Sequence, residues 1–539
     1  MAADLVIVNA KIVTVNREFA IAEATAIKGE TIVAVGRAAD VMKLVGPSTE
    51  VLNAQGNTVI PGLIDSHIHM LSTGATLLIL NCRTPPMKSI TDIVKAAQDQ
   101  VKKSKPREWI QGRGWDQSKL VEKRFPTRWD LDKVSLDNPV YLVRTCGHLA
   151  VVNSAALRVA GITRDTSQPV GGMIEKDKRG EPTGVLMEAP AMSLVSQHIP
   201  ARTFEEKTKA IREASKRFNE AGLTGVIEAG ISPEDMRAYQ RCLEDGSLNV
   251  RVNMMLSAPD RSKTVEECES QIQAFPFYTG FGNKMLRISG LKILIDGGVG
   301  GRTALLNEPY TNDTENVGLL TLPEHRLRAL VDLANKYDWQ VGVHCAGDRA
   351  MDITLNAFEE THRKKSIKGK RWTIIHSYLP SEKNFQQCRE MGVVVASQPS
   401  FLYYLGDSYY ENLGQNRAFY AKPHKDWLKQ GIVVASGTDS PVTPYLPFVS
   451  LWASIARKTE VSGTQLGTEQ AVTREEALRM YTINGAYLSF EEKVKGSVEP
   501  GKLADLLIID RDILTCPVDH IKDTRVLRTI LGGRTVYKA

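Results

Sequence analysis

The chain has 539 residues, 42% apolar and 24% charged, with 41 glycines and 24 prolines; this excludes collagen-like, low-complexity and disordered classes and suits one elaborated barrel or about three domains. Its 68 Lys and Arg against 62 Asp and Glu leave a net charge of +6, too dilute for an electrostatic nucleic-acid footprint. The densest basic runs, Lys102–Lys105 and His362–Arg371, lack interleaved aromatics and read as solvated faces.

The first sixty residues run in short bursts rich in Val and Ile: Leu5–Val15, Ala22–Val35 and Val51–Ile60, separated by Asn, Gly and Pro. These predict strands. Ala504–Asp510 and Val526–Tyr537 share that composition, with Gly532-Gly533 marking a tight turn. A small β-sandwich domain built from both termini follows.

Between the termini, apolar strands alternate with amphipathic helices, the pattern of βα units and a parallel sheet. Eight strands are expected: Val59–His69, Leu223–Ala229, Val250–Ser257, Leu286–Asp296, Gln340–His344, Trp372–His376, Val393–Ser397 and Val433–Asp439. Glu205–Glu220, Pro323–Tyr337 and Ala350–Lys364 read as crossover helices. The predicted class is α/β, a (β/α)8 TIM-like barrel. Strands one and two lie far apart, and the residues between them include Trp109, Trp115 and Trp129. An insertion after a barrel strand emerges on the catalytic face, so this segment is expected to form a lid that selects substrates, with Trp115 at the mouth. The units are 1–58 plus 490–539 (composite β-domain), 59–80 plus 204–489 (barrel) and 81–203 (insert).

The seven cysteines are scattered without a C-x-x-C pair, which points to a reducing compartment. The N-terminus lacks a basic n-region, and no apolar run approaches the length of a span. A cytoplasmic protein with no membrane or nucleic-acid partner is expected.

Strand one ends Asp65-Ser66-His67-Ile68-His69, and the i, i+2 spacing turns both imidazoles to one face. Paired histidines also occur on solvated strands, so this alone is a weak metal signal. Three further metal-capable residues, His344, His376 and Asp439, sit at the C-terminal ends of other predicted strands. Each alone also reads as a hydrogen-bonded histidine or a helix N-cap; their joint place in the catalytic rim favours a metal site. In Leu291-Lys292-Ile293-Leu294-Ile295-Asp296, alternation turns Lys292 inward, where an ammonium is costly. Either the amine captures carbon dioxide as a carbamate, an anionic ligand able to bridge two metals, or it stays unmodified and pairs with Asp296.

With these motifs, and with Gly147-His148-x4-Asn153-Ser154, Arg302-Thr-Ala-Leu-Leu, His344-Cys-Ala-Gly-Asp348 and Pro500-Gly-Lys-Leu-Ala-Asp505, nearly the whole chain resembles the amidohydrolase superfamily, in particular the family 3 branch that includes N-substituted formamide deformylases. The resemblance implies that His67, His69 and Asp439 hold one divalent metal, that His344 and His376 hold a second, and that a carboxylated Lys292 bridges them. Zinc is the leading metal, with manganese, iron and cobalt as alternatives. His148 and Asn153 resemble the family's substrate-contacting motif, with a structural hydrogen-bond pair as the alternative. Gly297–Arg302 reads as an active-site loop with Arg302 as a substrate contact. The expected reaction is hydrolysis of a C–N amide-type bond in a small molecule, a formamide or related amide, by a metal-bound hydroxide. Asp439 shuttles the proton, His376 is the next candidate base, and His148 helps to polarise the carbonyl. Alternatives are a mononuclear deaminase or cyclic amidohydrolase using His67, His69, His344 and Asp439, and a non-catalytic scaffold. A homodimer is suggested by analogy.

Overall fold

The structure, a computed structural model, describes residues 2–259, 263–311 and 313–539. Eight parallel strands lie side by side in chain order: β1 (Leu63–Ile68), β2 (Leu223–Ile231), β3 (Arg251–Ser257), β4 (Leu286–Leu294), β5 (Val341–Cys345), β6 (Thr373–His376), β7 (Val394–Ser397) and β8 (Val434–Ser436). They are rich in β-branched residues and mostly buried along their length, as strands covered on both faces must be. The crossover helices follow local signals. Phe204–Ala221 starts at Thr203, which forms a reciprocal capping box with Glu206, and stops at Gly222, whose φ of 90° ends the helix. Its Ile211, Ala214 and Phe218 pack into the barrel core.

Polar bonds close the seam between β8 and β1. The Asp439 N–H donates to the His67 carbonyl at 2.8 Å, and the Thr438 N–H and hydroxyl donate to Asp65 Oδ2 at 3.0 and 2.6 Å. Gly437 is required there, since a Cβ would lie 2.6 Å from both Asp65 Oδ1 and the His67 nitrogen.

The expected first strand is two strands. Thr58–Pro61 pairs with Lys11–Val13 and Leu506–Ile509 in the terminal β-domain, while Leu63–Ile68 enters the barrel. The chain crosses between them at Gly62, where a Cβ would fall 2.1 Å from the Thr224 hydroxyl. Thr58–Pro61 therefore belongs to the terminal domain, and the boundary lies at Gly62 rather than at residue 59. That domain comprises a four-stranded and a six-stranded sheet, with Leu5, Ile7, Ile27, Val59, Leu506 and Ile530 in one core.

The insert is built on a six-stranded sheet whose edges are Leu80–Asn81 and Met173–Lys176. It reaches the barrel rim, where the Thr145 hydroxyl donates to the Val442 carbonyl at 2.8 Å. All seven cysteines are free. Among the described residues no helix is long and apolar enough to cross a membrane.

Candidate metal centre and active site

Strand ends deliver the donors to one place. His67 projects from β1 and His69 follows it; Lys292 lies on β4, His344 on β5, His376 on β6, and Asp439 just beyond β8. Asp439 Oδ1 lies 3.2 Å from His69 Nε2 and 3.5 Å from His67 Nε2, and Asp439 Oδ2 lies 4.0 Å from His376 Nε2. Lys292 Nζ stands 3.3 Å from His67 Nε2. The His344 and His376 rings are 4.3 Å apart, centre to centre. Ligand atoms of His67, His376 and Asp439, all buried, fall within 4.8 Å of one another.

The surrounding polar groups fix which ring nitrogens are available. His69 Nδ1–H donates to the Ala229 carbonyl at 2.8 Å, and His376 Nδ1–H to Gln398 Oε1 at 2.7 Å, so each Nε2 keeps its lone pair. His344 Nε2–H donates to the Gly297 carbonyl at 3.1 Å, which leaves Nδ1 as its free donor atom. Such outer bonds orient metal-binding imidazoles. Burial holds His67, His344 and His376 well below the ordinary histidine range, and neighbouring cationic groups lower them further. Neutral imidazole is the form that binds metal.

Among the described residues, His376 Nε2 and Asp439 Oδ1 are buried without a hydrogen-bond partner. Orphans of this kind are rare in folded proteins. Two imidazole edges and a carboxylate oxygen converging on one point fit a divalent cation in residue type and spacing. The backbone is strained here as well: His376, Ser377 and Asp439 adopt φ of 80°, 50° and 53°, conformations that cost roughly 1–3 kcal/mol each and persist where the surroundings over-determine them.

A small cavity of about 30 Å3 lies against this cluster, lined by His344, His376, Asp439, Tyr378 and Phe401 from the barrel and by Arg144, Cys146 and His148 from the insert. The insert thus contributes residues to the wall of this cavity. His148 Nδ1 is 2.9 Å from Glu188 Oε2. Burial opposes the charge on this imidazole, but the Glu188 carboxylate outweighs it and pushes the His148 pKa up to about 9. Glu188 is itself buried, has φ of 65° and keeps Oε1 unpartnered among the described residues. His148 is thereby held as a cationic donor facing His344, their ring centres 5.3 Å apart.

Of the expected site residues, His67, His69, Lys292, His344, His376, Asp439 and His148 are brought together, whereas three lie elsewhere. Trp115 is fully buried in the core of the insert, with its indole N–H on the Leu142 carbonyl at 2.9 Å. It packs the lid's interior and does not face the mouth. Asn153 is fully buried, caps the helix Ser154–Val159, and bonds to the backbone of Val140, Ala156, Ser135 and Asn138. All its valences are used, so its role is structural. Arg302 lines a separate outer cavity of about 1090 Å3 between the insert and the barrel loops, with Nε donating to Asn412 Oδ1 at 3.0 Å. Asp296 does not pair with Lys292; it accepts the N–H groups of Leu305, Ala346 and Gly347.

Four contributors had escaped the sequence reading: Arg144, Glu188, Tyr378 and Gln398. Glu188 interrupts the apolar run Val185-Leu-Met187 and Arg144 ends the strand Val140–Arg144, and a charge at the end of an apolar run is the signal that could have found them.

The amidohydrolase family model matches residues 50–537. Over 550 residues, 99% of this chain and 98% of the relative, the sequence is 30% identical to N-substituted formamide deformylase of Arthrobacter pascens. It is also 30% identical over 551 residues to Protein LONG AFTER FAR-RED 3 of Arabidopsis thaliana, covering 99% of this chain and 92% of that protein. Among solved structures, an uncharacterized metal-dependent hydrolase from Pyrococcus horikoshii OT3 superposes with a TM-score of 0.75 at 26% identity, over 96% of this chain and 99% of that one.

Proposed function

The chain belongs to the amidohydrolase family and is a metal-dependent hydrolase, and from that premise we propose that it cleaves the C–N bond of a small-molecule amide. The observation that carries this reading is the convergence of His67, His376 and Asp439 on one point at the C-terminal end of the barrel, with a lid-borne cationic donor, His148, in the same cavity.

His67, His69 and Asp439 would hold one divalent ion and His344 and His376 a second. Imidazole and carboxylate donors together favour zinc. A bound cation of this kind supplies Lewis acidity to a carbonyl and lowers the pKa of water. Burial brings the Lys292 ammonium down to about 8, against the opposing Asp439 charge, and among the described residues no carboxylate pairs with it. Its neutral amine can add to the carbon of carbon dioxide, losing one proton, to give a carbamate that would serve both ions as an oxygen ligand.

Asp439 accepts a proton during attack and returns it to the departing nitrogen, since an amine leaves poorly as an anion. His148, aimed by Glu188, donates to the carbonyl oxygen as charge develops there. The insert over the rim limits water and substrate access. An acyl group of formyl size suits a cavity of about 30 Å3, in keeping with the relative named as a formamide deformylase.

The test is turnover of N-formyl, N-acyl, carbamate and cyclic amide compounds by zinc-loaded protein, with metal counted per chain. Formamide hydrolysis with two ions and a carboxylated Lys292 by mass is expected. Full activity with one ion and unmodified lysine would replace it by the mononuclear alternative.

A further inference from the structure

We propose that Arg144 recognises the substrate by donating a hydrogen bond from its NH1 group to a second, uncharged acceptor oxygen, so that the preferred substrate is an amide bearing another carbonyl; this deepens, and rests on, the amide-hydrolase reading. Arg144 is fully buried at the end of an insert strand. Its Nε donates to Gln117 Oε1 and its NH2 to Asp116 Oδ1, both at 2.8 Å. NH1 is buried and, among the described residues, has no partner. A guanidinium does not shed its proton, so the donor cannot be neutralised away.

The guanidinium borders the catalytic cavity alongside Val299, Leu405, Val442 and Gly300. The Cys146 thiol is within hydrogen-bonding reach of the guanidinium, but sulfur is a weak acceptor and leaves room for a stronger one. Space is kept open on this side: a Cβ on Gly300 would sit 3.3 Å from both NH1 and NH2. The charge, in contrast, is already balanced. Asp116 is buried against Arg144, and despite desolvation its carboxyl is held below the usual range by Arg144 and Lys119. What NH1 lacks is an acceptor, not a counter-ion, and a neutral carbonyl supplies one without adding a further buried charge.

Three shape-matched ligands test this: N-isobutylformamide, N-formylglycinamide and N-formylglycine carry an apolar, a neutral carbonyl and a carboxylate end. Their affinities are measured by calorimetry on the full chain stripped of metal, where no turnover interferes. The glycinamide is expected to bind at least ~10-fold tighter than the isobutyl compound, the scale of a hydrogen bond to a charged group. Arg144→Lys, which keeps a cation opposite Asp116, should erase the preference, and Gly300→Ala, which leaves Arg144 intact but crowds it, should reduce it. Equal affinities in the wild type, a preference that survives Arg144→Lys, or tightest binding of the carboxylate would each overturn the inference. Metal-loaded wild type is assayed in parallel, with the N-acetyl and carbamate counterparts included: selective binding with no hydrolysis of any of them refutes the amide-hydrolase reading alone, whereas hydrolysis without selective binding refutes the Arg144 inference alone.

Discussion

Two buried arginines divide the molecule into a part that holds and a part that acts. Arg251, at the start of β3, gives Nε and NH2 to Asp505 of the terminal β-domain at 2.7 and 2.8 Å and NH1 to the Lys284 carbonyl at 3.1 Å. Asp505 also receives the Gly532 N–H at 2.9 Å. Arg144, equally buried at the opposite end of the barrel, keeps one of its three nitrogens without a partner among the described residues. At the mouth, Glu188, His376 and Asp439 combine left-handed backbone with polar atoms that have no partner among the described residues. At the foot, all three nitrogens of the Arg251 guanidinium have partners. Closed valences fix a domain interface, while open ones are maintained at a cost in stability where ligands are to be bound.

The strongest test of this division is metal removal. Dialysis against a strong chelator should take turnover below detection, with zinc or manganese restoring it; full activity in demonstrably metal-free protein would leave the open valences of the mouth without a purpose. Next in size is Arg251→Met, which strands Asp505 as an uncompensated buried charge and should cost about 3–5 kcal/mol of stability while the folded fraction keeps its kcat. A lowered kcat in protein shown to be folded would break the separation of foot from mouth. Asp439→Asn should do the opposite: kcat falls by at least ~10²-fold, the scale of losing a general acid–base group, with the urea midpoint retained. Retained kcat would move the proton shuttle to another residue, with His376 next in line.

The barrel and its metal donors were legible because both rest on short-range rules. Alternation points His67 and Lys292 inward, and the C-terminal ends of parallel strands face one rim, so His344, His376 and Asp439 could be assembled from strand order alone. The break at Gly62 was not legible, because Val59–His69 reads as one apolar run and only the neighbouring Thr224 and Leu506–Ile509 decide where it divides. The insert was legible as an insert but not in its orientation. Trp115 and Arg144 lie on neighbouring parallel strands and are paired just past a register shift between Arg113 and Trp115, yet one packs the insert's core and the other borders the cavity. Which face of that sheet meets the barrel is set by tertiary packing, and no periodicity within the segment encodes it. Asn153 misled for a related reason, since a helix N-cap and a substrate contact call for the same short polar side chain.

The smallest and most discriminating prediction concerns Glu188, whose carboxylate makes His148 part of the mouth's chemistry. His148 has a folded pKa of about 9 against an ordinary value of 6.5. Because the folded value is raised, the stabilisation from protonated His148 is fully present below about 6.5 and is lost as pH climbs through about 9. Glu188→Gln keeps the hydrogen-bonding shape but removes the charge, so the desolvation that opposes protonation prevails and the imidazole titrates at lower pH. At pH 8 the wild type retains a cationic donor and the variant does not. The alkaline limb of kcat/KM should therefore move down by at least about one pH unit, with a loss of about 10-fold at pH 8 and a smaller one at pH 6, while metal content is unchanged. The wild type's fall in urea midpoint between pH 6.5 and 9 should flatten in the variant. An unshifted limb together with an unshifted stability profile would mean that Glu188 merely fills space beside His148, and the pair would then belong with the closed contacts of the foot.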